Sequence, residues 1–125
     1  MENIKFIKRV WEDVYNLKLD TKQTIEKYFH PNFEQCINGV VIKRPEYITH
    51  VTAQKENFIL NSIDYQESLE KKDEIFTAYY IKGKNKENIP IEAEVIIYAK
   101  LLASQILKVH GLVILTQGNE KEVDI

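Results

Sequence analysis

The chain has 125 residues, 44% hydrophobic and 29% charged, with a formal charge of -2 at pH 7. That length suits one domain with its own core, and the balance argues against disorder and against a dedicated nucleic-acid binder, which carries a strong positive excess. No apolar run approaches the ~18–20 residues that span a bilayer, so no membrane segment is expected.

The opening Met-Glu-Asn-Ile-Lys lacks the apolar stretch of a secretory leader. Cys36 is the one cysteine, which excludes an internal disulfide and points to a reducing, cytoplasmic setting. Lysines are dispersed apart from Lys82-Gly83-Lys84-Asn85-Lys86, which reads as a solvated loop. There is no repeat and no Pro/Gly/Ser-rich linker, so residues 1–125 are expected to form a single domain.

Ile4, Ile7, Trp11 and Val14 recur at three and four residues and predict a helix over 2–17. Asp20 with Gln23 makes a capping pair that starts a second helix, running to about Phe29. His30-Pro31 ends it, because the residue before a proline is driven out of helical geometry; His30 is expected as a helix-terminal residue. Phe33–Ile37 alternates as a strand, Asn38-Gly39 predicts a type I′ turn, and Val40–Lys43 returns. Pro45 opens a third helix with Tyr47, Ile48, Val51 and Phe58 inward, and His50 is expected to be satisfied or exposed there.

From Leu60 the period changes to two. Strands are predicted at 60–71, 74–83, 90–102 and 105–117, with turns at Asp73, 83–90 and Ala103-Ser104. Helices first and a long meander afterwards give an α+β layout, with helices on one face of a curved sheet.

This order of elements, together with "YFHPNF…NGVVIKRPEYITHV", resembles the nuclear-transport-factor-2-like superfamily, particularly its SnoaL-like polyketide-cyclase branch. The resemblance implies a cystatin-like roll, in which a cone-shaped, curved, mixed antiparallel sheet packs against three N-terminal helices. It also implies an apolar cavity under the helices and, for many members, a dimer through the outer sheet face. One scaffold there serves isomerases, cyclases, dehydratases, epoxide hydrolases and binding domains, so the residues must decide function.

Alternation sorts the strands by face. Ile91, Ala93, Val95, Ile97, Ala99 and Leu101 are expected to face the helices, and the two alanines to leave space. In the last strand Leu107, Val109, Gly111, Val113 and Leu115 are expected inside, which puts Lys108 and His110 outside. Ile96, Tyr98, Leu112 and Ile114 then gather on the outer face, an apolar patch that predicts a homodimer. Candidate contacts to a small apolar ligand are Trp11, Tyr15, Tyr28, Phe33, Gln35, Tyr79, Val95 and Ile97.

A complete catalytic set is not legible. Ketosteroid-isomerase-like members need a carboxylate base near the first hairpin, where this chain offers only the amides of Gln35 and Asn38. Arg9 and Arg44 lie off the long strands, so an Asp-Arg-Asp arrangement is not suggested. His110 would enter the cavity only in a register that also buries Lys108. No spacing suggests a metal site, no Gly-rich phosphate loop is present, and Cys36 alternates away from the cavity, so neither metal nor cofactor is expected. The sequence therefore predicts a small-molecule-binding domain. Its alternatives are an isomerase- or cyclase-like enzyme using Tyr15 or His110, and a dimeric protein-interaction module.

Overall fold

Each helix forms where the apolar stripe closes on a common core. In the computed structural model, which describes residues 2–118, helix α1 spans Glu2–Val14 and buries Ile4, Ile7, Val10, Trp11 and Val14. It stops short of residue 17, leaving Leu17 exposed. Helix α2 (Thr21–Tyr28) starts as its capping pair predicts, with the Asp20 carboxylate accepting from the Gln23 backbone N–H at 2.9 Å.

Strand β1 (Phe29–Ile37) follows without a break, four residues earlier than alternation suggested. His30 therefore lies in the strand rather than at a helix end, and its Nδ1 accepts from the Asn32 backbone N–H at 3.0 Å. Pro31 is tolerated because the pairing of β1 jumps from Phe29 to Glu34, so no ladder hydrogen bond is asked of it.

Asn38 and Gly39 take φ of 52° and 81°, the type I′ geometry, and β2 (Val40–Lys43) returns in register with Ile37 opposite Val40. Helix α3 (Arg44–Asn57) carries Pro45 in its first turn, and Glu46 accepts from the Lys43 backbone N–H at 3.3 Å.

Four long strands complete the described residues: β3 (Phe58–Lys71), β4 (Glu74–Asn85), β5 (Pro90–Leu102) and β6 (Gln105–Gln117). The sheet order is β2-β1-β6-β5-β4-β3, and β1 runs parallel to β6 while the other neighbours are antiparallel. The fold is thus α+β with a mixed sheet. Strand β4 continues past Gly83 because Asn85 ties off the next loop, its buried Oδ1 accepting from the N–H groups of Glu87 and Ile89 at 2.9 and 3.0 Å.

The inner row of β5 is buried from Ile91 to Leu101 as alternation predicts. In β6 the expectation fails at one residue. Leu101 pairs with Ile106 and Lys100 with Lys108, so Leu107 is the extra residue of a bulge, and Ile106 takes the buried place expected of Leu107. Beyond the bulge the parity holds: Val109 is buried, while Lys108 and His110 are exposed on the outer face.

Two contacts fix β1 against β6. The Asn38 carboxamide donates to the Val113 carbonyl at 2.9 Å and accepts from its N–H at 3.0 Å, extending the pairing beyond the end of β1. Gly111 lies beside Ile97, where a Cβ would collide with the Ile96 carbonyl oxygen and meet the Ile97 Cα at 2.9 Å. Only glycine allows β5 and β6 to approach so closely.

The β5–β6 turn explains why its sequence signal is weak. Ala103 and Ser104 both adopt left-handed geometry, φ 52° and 64°, with no glycine to relieve it. Ser104→Gly should raise the unfolding free energy by about 0.5–1 kcal/mol, the left-handed penalty less the added freedom of glycine in the unfolded chain. A urea midpoint that falls, at unchanged slope, would contradict this account of the turn.

Candidate functional site

An aromatic cluster closes the deep end of the space between helices and sheet. Phe29 is its hub, with ring centroids 4.8 Å from Phe33, 5.1 Å from Tyr47 and 6.1 Å from Trp11. Phe33 and Tyr47 also meet, at 5.2 Å. Beyond this cluster the helices and the concave sheet face enclose a cavity of about 140 Å³.

Much of its apolar wall comes from Ile91, Val95 and Ile97 of β5, Val109, Val113 and Leu115 of β6, and Ile81 of β4, with Ile37 of β1 and Leu60 and Ile63 of β3 completing it. Polar atoms are few and placed by different elements. Gln35 reaches in from β1, Tyr79 from β4, Trp11 and Tyr15 from the end of α1, and Tyr47, His50 and Gln54 from α3. This mixture of apolar surface with a few convergent polar groups is the usual make-up of a small-molecule site.

Most of the candidate contacts read from the sequence meet at this cavity: Trp11, Tyr15, Gln35, Tyr79, Val95 and Ile97. Tyr28 and Phe33 lie outside its wall. Tyr28 faces the α1–α2 seam, donating to Asp13 Oδ2 at 2.6 Å and packing edge-on against Phe6, because α2 ends before the chain turns toward the cavity. Phe33 is wholly buried within the aromatic cluster, under Phe29 and Tyr47. Ala93 and Ala99, expected to leave space, are fully buried and also outside the wall.

Sequence reasoning missed Tyr47, His50 and Gln54. The signal was present: positions 47, 50, 51, 54 and 58 fall at i, i+3, i+4, i+7 and i+11, one inward stripe of a helix. Two polar residues on that stripe hid it, although a polar side chain on an inward stripe is itself a mark of a site. His50 thus belongs to the cavity wall, half-buried and without a hydrogen bond among the described residues.

The hydroxyls of Tyr15, Tyr47 and Tyr79 form a group of neutral donors. Burial pushes the Tyr15 hydroxyl up to about 12. Burial, followed by the neighbouring tyrosines, holds Tyr47 and Tyr79 well above the ordinary value. All three therefore remain protonated at neutral pH. Tyr15 donates to Gln54 Oε1 at 3.0 Å, which leaves the Gln54 amide NH₂ free to donate. The Trp11 indole N–H slightly eases the rise at Tyr79, yet it is buried and reaches no acceptor at full hydrogen-bond geometry.

Among the described residues no carboxylate lines the cavity, and they hold no cluster of three or more metal-ligating side chains. His110 stands on the far side of the sheet, exposed opposite Tyr98, and can take no part in cavity chemistry. His50 is the wall's single imidazole.

No protein-family model and no curated sequence matches this chain. Solved structures do. An isomerase, provisionally so described, from Rhodopseudomonas palustris superposes with a TM-score of 0.75 at 10% identity, over 88% of this chain and 87% of that one. A polyketide cyclase, also provisionally described, from Streptomyces antibioticus gives 0.69 at 11% identity, over 98% and 96%. An NTF2-like protein from Burkholderia xenovorans LB400 gives 0.67 at 12% identity, over 90% and 89%. The chain therefore has the nuclear-transport-factor-2-like fold shared by SnoaL-like polyketide cyclases.

Proposed function

We propose that this domain binds a small, mainly apolar molecule of about one or two rings in the cavity between helices and sheet. The observation that carries this reading is the cavity itself, about 140 Å³ with an apolar wall and few polar groups. An apolar cavity of roughly that size, ~150 Å³, holds a benzene ring in a well-packed protein. The tyrosine hydroxyls, the Gln35 amide and the Gln54 NH₂ would orient a ligand oxygen.

A second reading is favoured by His50. As the wall's imidazole, it could take a proton from a carbon next to a ligand carbonyl, while the developing oxyanion accepts hydrogen bonds from neutral tyrosines. Returning that proton to another carbon would complete an isomerisation without a cofactor. The isomerase and the polyketide cyclase among the structural neighbours make this chemistry worth testing.

We also propose a homodimer through the outer sheet face. Ile96, Leu112 and Ile114 are 55%, 53% and 55% exposed there, and the tilted rings of Phe76 and Tyr98 lie beside them, 5.1 Å apart. Register places Ala78, Ile96 and Leu112 side by side across β4, β5 and β6, an apolar band too continuous for a surface facing only water.

Naphthalene titrated into the protein should bind, and Val95→Phe, which fills the cavity from β5, should weaken that binding at least tenfold (a rough floor) while circular dichroism stays unchanged. Absence of wild-type binding would remove the cavity reading. For the second reading, deuterium exchange at the carbon beside the carbonyl of cyclohexenone should exceed the buffer rate, and His50→Gln should reduce it about a hundredfold; exchange at the buffer rate in wild type rejects it. In sedimentation the wild type should run as a dimer and Ile96→Glu as a monomer, whereas a concentration-independent monomeric mass for the wild type rejects the dimer.

A further inference from the structure

A second depression, of about 360 Å³, opens beside the cavity and shares Tyr15, Leu60 and Ile63 with it. Its remaining wall has a different chemistry. Glu12 comes from the last turn of α1 and Asn16 from the turn after it, and Asn61, Ser62 and Tyr65 come from β3. The β3–β4 pairing skips Asn61, passing from Leu60 to Ser62, so a bulge sets this polar stretch against the cavity mouth.

Two features of this annexe ask for an occupant. The Tyr65 hydroxyl is buried with no hydrogen-bond partner, a costly state unless water or a ligand satisfies it. Glu12 is exposed and makes no hydrogen bond or ion pair among the described residues. Burial and then the Glu12 charge hold the Tyr65 hydroxyl above its ordinary value, so it stays protonated at neutral pH. The Lys8 ammonium sits over the Tyr65 ring face, 4.8 Å from its centroid.

Resting on the binding reading above, we infer that cavity and annexe form one site for an amphipathic ligand. Its ring occupies the cavity, and a hydrogen-bond-donating head group, a hydroxyl or an ammonium, lies between Glu12 and Tyr65. The carboxylate can only accept, so a hydroxyl head donates to it while accepting from the Tyr65 O–H, and an ammonium head donates to both oxygens. A carboxylate head would meet Glu12 as a like charge.

The test is calorimetric titration of the full chain with naphthalene, naphthylethanol, naphthylethylammonium and naphthylacetate at pH 7. One or both donor-headed probes should bind about threefold to tenfold more tightly than naphthylacetate, the range expected of a partly exposed charged or polar contact. A preference confined to one of them assigns the head as hydroxyl or ammonium. Glu12→Gln should erase any ammonium advantage. Tyr65→Phe removes an unpartnered hydroxyl, so it should not lower the melting temperature, yet it should weaken the donor-headed probes and leave naphthalene unchanged. Equal affinity of the three headed probes for wild type overturns the inference and leaves the cavity reading standing. Failure of naphthalene itself to bind overturns both.

Discussion

The structure hangs on Phe29. It is the residue where α2 ends and β1 begins, it has no exposure to solvent, and its ring touches Trp11 of α1, Phe33 of β1 and Tyr47 of α3. Each ring removed from water contributes about 1.5–3 kcal/mol, and tilted and edge-to-face contacts add to that. This cluster ties α1, α3 and the start of β1 together at one end. Past it the space between the layers is left unfilled, so one end of the fold is packed and the other forms a cavity.

Curvature keeps that cavity from collapsing. Gly111 lets β6 close tightly on β5, the Leu107 bulge resets the parity of β6, and two bulges bend β3 away from β4's even pairing. A flat sheet would carry its inner residues straight onto the helices. A curved one draws the ends of its strands away from the helical layer and leaves a mouth between Tyr15, Leu60 and Ile63, where the polar annexe begins. The same alternation gives the sheet two apolar faces. The inner residues of β5 and β6 wall the cavity, while Ile96, Leu112 and Ile114 between them form the outward band. Two apolar surfaces thus come from one stretch of sequence.

Chemically the cavity is a set of protonated donors in an apolar wall to which the described residues bring no carboxylate. Such a site suits a neutral ligand bearing an oxygen acceptor more than a cation, whose desolvation nothing in the wall would offset.

The sequence by itself determined whatever depends on neighbours a few residues apart. It supplied the apolar stripe of α1, the Asp20 cap, the Asn38-Gly39 turn and the inner row of β5, because each is a local periodicity or a local φ requirement. Six of the cavity contacts, Trp11, Tyr15, Gln35, Tyr79, Val95 and Ile97, could be reached from those local rules. Only the tertiary structure decided the rest. The parallel pairing of β1 with β6 joins segments distant in the chain; its contacts at Phe29 and Glu34 flank His30-Pro31 and hold the chain extended across them, and the same pairing lets Asn38 clamp Val113. The β6 bulge exchanges Leu107 for Ile106 inside the core, which no two-residue period can anticipate. Tyr28 turns away from the cavity because its partner, Asp13, belongs to another helix. His50 and Gln54 enter the wall because long-range packing fixes how α3 is rotated, and burial of Tyr47 and Val51 on the same stripe carries the two polar side chains inward with them.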